Sequence, residues 1–178
     1  MQSSARSTAR SDALAGTMRD EQAKCQHIMP DQDTKLFFDF FFVFSRFEYA
    51  LKENGFCDPN IDEASPNWDA FARSLVPAPN AELQLVLQLG RPILANPPQK
   101  HIRSSPAPIW ETRPSGKHTD IEELLVYIRR IRNNVFHGSK LPMILDRDRN
   151  LILCSTAVIK SILEMPSLPH GIADCFNR

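Results

Sequence analysis

Arg132, Asn133 and His137, inside the stretch RNNVFHG, are the residues of this chain whose types and spacing best suit phosphate chemistry. Arginine keeps its charge and offers a planar fork of donors that matches phosphate oxygens. Histidine titrates near neutrality and can move a proton. Asparagine can orient either group through hydrogen bonds. Together these types suit cleavage of a phosphodiester by the 2′-hydroxyl of RNA itself, a reaction that needs no metal.

The element that must position them is a helix with strong sequence marks. Thr119 and Glu122 form a capping box, TDIE, and Ile121, Leu124, Ile128, Ile131 and Val135 recur at helical spacing up to a stop at Gly138. With the apolar stripe on one side, Arg129, Arg130, Arg132, Asn133 and His137 occupy most of the other. Asn133 and His137 are i, i+4 neighbours, and Arg130 stands one turn before Asn133. Arg132 and His137 are five apart, so convergence on one phosphate needs unwinding near Gly138 or a second copy across a dimer axis. A plainer reading is open as well: cations in the last turns of a helix are favourable against its macrodipole and need no further role.

Bulk composition bounds the alternatives. A chain of 178 residues with 42% hydrophobic content can bury one core, and 21 basic side chains balance 21 acidic ones. A binder relying on large excess positive charge is excluded, so contact with nucleic acid must come from a local patch. No apolar run is long enough for a membrane span, and MQSSARSTARSDALAG lacks the apolar region of a secretory signal. Its Ser, Arg and Ala content is faintly that of a transit peptide, against which Asp12, Asp20 and Glu21 argue. The expectation is a cytoplasmic protein without membrane contact. Cys25, Cys57, Cys154 and Cys175 show no metal-ligand spacing, and His27, His101, His118 and His170 are isolated. Reduced structural thiols, no metal site and no cofactor are expected.

Residues 1–33 are polar and unperiodic and read as a disordered leader, 34–165 as one helical domain, and 166–178 as a loose tail. In the first helix, spanning 35–54, Phe37, Phe40, Phe44, Phe47 and Leu51 make one seam. Phe38, Phe41 and Phe42 lie off it, so this helix needs cover on two sides, which a second subunit could supply. An aromatic run could also be a buried strand, but its length and the Glu48/Lys52 spacing favour a helix. SPNWDAFARSLV predicts a second helix with Ser65 as N-cap and Pro66 at its first position, and AELQLVLQLG a third, ending at Gly90. The prolines between Arg91 and Gly116 exclude a long helix there, and the residues near Trp110 suit a short hairpin. A last helix covers 149–164. Ser45, Arg46 and Glu48, polar on a phenylalanine-rich helix, rank second to the motif: Glu48 is first read as an ordinary i, i+4 surface pair with Lys52, while Arg46 could line the cleft and support a phosphate.

The chain resembles the HEPN superfamily, in particular its small plasmid- and prophage-type branch, whose hallmark is Arg-x(4–6)-His near the end of an internal helix. Arg132 and His137 fit with four residues between them. FFVFSRFEYALK, NWDAFARSL, NPPQKH, Trp110 and a final helix preceded by DRDRN extend the resemblance from about Leu36 to Glu164. It implies an all-α bundle of four to five helices, with a Pro-rich loop or small hairpin, that dimerises so that two motifs meet in one cleft. It also implies a metal-independent endoribonuclease of toxin–antitoxin or phage-defence type, with RNA and an antitoxin protein as partners. Arg132 would then stabilise the scissile phosphate, His137 act as acid or base, Asn133 orient them, and Arg129, Arg130 and Arg46 bind RNA. The family also contains inactive members that only bind nucleotide, nucleic acid or a protein. Toxins of this kind commonly carry a tyrosine two residues after the histidine, where AMP is attached; Ser139 stands there, which argues against that form of control.

Overall fold

The computed structural model describes residues 31–60, 62–136, 145–169 and 171–178. The leader up to residue 30, Cys25, His137, the stop at Gly138, Ser139 and His170 lie outside them. The fold is an all-α bundle with one small hairpin.

Helix α1, Asp31–Glu53, buries Phe40, Phe44, Phe47 and Leu51 as its seam predicts, with Phe37 half-buried. It ends in a Schellman turn: the N–H of Phe56 donates to the Leu51 carbonyl at 3.0 Å and that of Gly55 to the Lys52 carbonyl at 3.4 Å. Gly55, at φ +85°, takes the left-handed conformation this turn requires.

Helix α2 runs Trp68–Leu75. Its cap is Asn67, whose Oδ1 accepts from the Ala70 N–H at 2.9 Å, and not Ser65. The chain stays extended two residues longer because Pro66 pairs with Cys57 and the Ser65 carbonyl accepts from Asp58. Helix α3 runs Asn80–Ala95, past the expected stop at Gly90 and through Pro92. Gly90 is a contact point: a Cβ there would lie 2.4 Å from Leu124 Cδ2. Pro92 sits in the last turn, where it has no N–H to donate to the Gln88 carbonyl, and its own carbonyl accepts from the Asn96 N–H at 3.2 Å.

Strands β1, Lys100–Ile102, and β2, Ile109–Glu111, pair antiparallel with His101 opposite Trp110. Helix α4, Asp120–Phe136, starts at the expected box: Thr119 Oγ1 accepts from the Glu122 N–H at 3.4 Å and donates to Glu122 Oε2 at 2.9 Å. Helix α5, Asp146–Leu163, packs against α1 and α3, while α4 lies on α3 and α2. Leu124, Ile128, Ile152, Ile159 and Ile162 are fully enclosed between them.

The last residues are ordered, contrary to a loose tail. Helix α6, Ile172–Asn177, packs on α1 and buries Ile172 and Cys175, which makes six helices among the described residues. No helix among these residues is long and apolar enough to cross a membrane.

Candidate functional site

The inner face of α4 is locked by Ile121, Leu124, Ile128, Ile131 and Val135, and this fixes which side chains turn outward. Arg129 and Asn133 are exposed, and Arg132 is half-buried. The Arg132 guanidinium lies 5.6 Å from the centre of the Phe44 ring and that of Arg129 lies 5.9 Å from the Trp68 ring. Phe44 and Trp68 are themselves stacked at 5.3 Å. Weakly hydrated guanidinium groups settle over aromatic faces in this way.

These residues, with Glu48, Ser65, Pro66 and Asn133, line an open groove of about 110 Å³. Arg132 donates from Nη1 to Asn133 Oδ1 at 3.1 Å, so the two residues expected to act together are in contact. Among the described residues neither Arg129 nor Arg132 is in an ion pair. Within the described residues, then, no carboxylate neutralises either guanidinium. Glu48 accepts a hydrogen bond from Trp68 Nε1 at 3.3 Å, which sets the indole at the groove's edge and replaces the simple Glu48/Lys52 pair.

Two expected RNA-binding residues are otherwise engaged. Arg46 is turned away from α4. It donates from Nη2 to the Cys175 carbonyl at 2.7 Å and from Nε to the Phe176 carbonyl at 3.2 Å. The carbonyls at the end of a helix lack intrahelical partners, and α6 brings them to this arginine. Arg46 therefore does not join the groove. Arg130 donates from Nη1 to the carbonyls of Arg113, at 2.8 Å, and Pro98, at 3.3 Å, and lies over Tyr127. Burial holds its pKa below the usual guanidinium value. It ties the Pro-rich segment to α4.

Asn134, which the sequence reading passed over, is buried and donates from Nδ2 to the Gln99 carbonyl at 2.7 Å. Arg147 adds a donor to the Pro97 carbonyl at 2.9 Å. Proline-rich chain has few N–H groups with which to pair its own carbonyls, so side chains of α4 and α5 satisfy them. The density of prolines between Arg91 and Gly116, whose carbonyls need donors from elsewhere, was the available signal. His101, expected as an isolated surface side chain, is stacked on Trp110 at 4.5 Å.

No group of His, Cys, Asp and Glu that could hold a metal ion occurs among the described residues. No protein-family model, no curated protein and no solved structure matches the chain.

Proposed function

We propose that this protein is a HEPN-type endoribonuclease that works as a homodimer, without a metal, in a toxin–antitoxin or phage-defence setting. The RNA 2′-hydroxyl attacks the adjacent phosphorus and the 5′-oxygen leaves, giving a 2′,3′-cyclic phosphate and a 5′-hydroxyl. Arg132 stabilises the charge that gathers on the phosphate, His137 exchanges the proton, and Asn133 holds Arg132 in place. The observation that carries this reading is the groove over Phe44 and Trp68, where Arg132 and Arg129 have no carboxylate partner among the described residues and Asn133 touches Arg132. Two guanidinium groups presented side by side in an open groove suit a polyanion such as RNA.

The test is cleavage of a varied RNA pool in EDTA by the full chain, with Arg132→Ala and His137→Ala beside it. Losses of about 100-fold or more are expected for each. A 2′-deoxy nucleotide at the cut position should block the reaction, since the attacking group is then missing. An unmodified pool left intact by the wild type overturns the reading in favour of an inactive binding module.

A further inference from the structure

On the hairpin side of α4 a second cleft, of about 320 Å³, opens between the helix and β1. Its walls include Lys100 and His101 from β1 and Arg129, Arg130 and Asn133 from α4, and no carboxylate among the described residues lines it. That is a local excess of positive charge in a chain whose 21 basic and 21 acidic side chains balance. Other concave surfaces differ: Glu48 lines the groove at Trp68, and Asp39 the surface beside Phe38 and Phe42.

The nearby acids are engaged elsewhere. Glu111 faces Lys100 in the hairpin register, yet its carboxylate is held by Arg113 at 2.8 Å. Glu123 accepts from Tyr127 at 2.6 Å and from Ser115 at 3.0 Å. The cleft is also built before any ligand arrives. Asn134 fixes the Gln99 carbonyl, immediately before Lys100, and Arg130 fixes those of Pro98 and Arg113. Trp110 supports the His101 ring from the paired strand. A concave wall that carries several cations on a braced backbone focuses field on an anion.

Arg129 and Asn133 line both this cleft and the groove at Trp68. We infer that the Lys100 cleft holds a backbone phosphate next to the scissile one, so that single-stranded RNA crosses α4 over Arg129 and Asn133. The inference rests on the endoribonuclease reading for RNA as the polyanion; the charge and shape of the cleft stand without it.

The experiment titrates the full chain with a short fluorescent 2′-O-methyl oligoribonucleotide, which binds but lacks the attacking hydroxyl, across a salt series. Lys100 is exposed, and Lys100→Gln removes its charge alone. Loss of one phosphate contact should lower the slope of log K against log salt by about 0.7 and weaken binding about fivefold near ~0.1 M salt. Lys100→Arg should restore both, which a merely structural lysine would not do to the slope. Unchanged affinity and slope in Lys100→Gln, with both lowered in Arg132→Ala, would overturn the cleft and keep the nuclease. Lowered affinity and slope in Lys100→Gln, with no RNA ever cut by the wild type, would keep the cleft and overturn the nuclease. A wild type that does not bind the oligonucleotide overturns the cleft outright.

Discussion

Asn134 Nδ2 lies 2.7 Å from the carbonyl oxygen of Gln99, and this hydrogen bond joins the motif helix to the residue that leads into β1, the strand that walls its cleft. Its neighbour Asn133 is exposed and in contact with Arg132. Two adjacent asparagines thus differ in burial and in partner.

Asn134→Ala should therefore destabilise the fold by about 1–2 kcal/mol, the cost of losing a hydrogen bond to a half-buried carbonyl together with the packing of a buried side chain. Asn133→Ala should stay within about 0.5 kcal/mol of wild type, as exposed substitutions usually do. Thermal unfolding of both variants checks this. Equal midpoints would refute the expected difference between them. Under the proposed function, Asn133→Ala should instead slow RNA cleavage, and by less than Arg132→Ala, because it positions the charge and does not carry it.

Periodicity made the large elements legible. The seam from Phe40 to Leu51 and the stripe from Ile121 to Val135 repeat at a helical interval because each must face one core. What escaped was set by partners distant in sequence. Gly90 reads locally as a stop, but Leu124, on another helix, determines its use. Asn67 replaces Ser65 as a cap because Cys57 and Asp58 hold Ser65 and Pro66 in extended chain. Arg46 has the chemistry of a phosphate ligand, and only the position of α6 turns it to the carbonyls of Cys175 and Phe176. The motif on α4 was legible as a pattern. The cleft beside it was not, since Lys100 and Arg129 meet only through the hairpin.

The contact of Gly90 with Leu124 predicts the effect of one methyl group. The Cβ of Gly90→Ala would lie 2.4 Å from Leu124 Cδ2 and 3.1 Å from its Cγ, so the fully buried leucine must move in a filled core. Destabilisation of about 1–3 kcal/mol is expected from the overpacking. Leu124→Ala alone should cost about 2–5 kcal/mol through the cavity it leaves. The double variant should lose less than the sum, because the new methyl then occupies vacated space. Strict additivity in denaturant melts would show that the two positions do not touch.

Asp33 and Arg149 give the fold an acid-sensitive tie. Arg149 donates from Nε and Nη2 to the two carboxylate oxygens of the buried Asp33, at 2.7 and 2.8 Å, joining the start of α1 to the start of α5. The hydrogen bonds from Arg149 hold the Asp33 pKa below its ordinary value, although burial works in the opposite direction. A lowered folded pKa means that the contribution to stability is fully present above the unfolded value of about 3.9 and is lost as pH falls through the folded one. Arg149 stays protonated throughout that window and adds no pH dependence of its own. Asp33→Asn should then be less stable than wild type at pH 7, with the gap narrowing below about pH 4. A gap of constant size from pH 7 to pH 2 would exclude the tie as its source.

The proposed dimer is the prediction on which the proposed active site most depends. Phe38, Phe41 and Phe42 project from one side of α1 with exposures of 65%, 48% and 54%. The Phe41 ring lies 5.3 Å from that of Phe136, the last described residue of the motif helix. A two-fold interface through these rings would bury each phenylalanine twice and bring two copies of the motif end toward each other. Light scattering at micromolar concentration should then give about twice the chain mass of 20.2 kDa. Phe42→Glu should halve that mass, since burying two unpaired carboxylates in an apolar contact is strongly unfavourable. Its thermal midpoint should fall only as far as loss of the partner explains. Cleavage should disappear together with the dimer and return at protein concentrations high enough to restore it. A wild-type monomer that cuts RNA at full rate would show that one chain holds a complete site, and the aromatic face of α1 would then need another explanation.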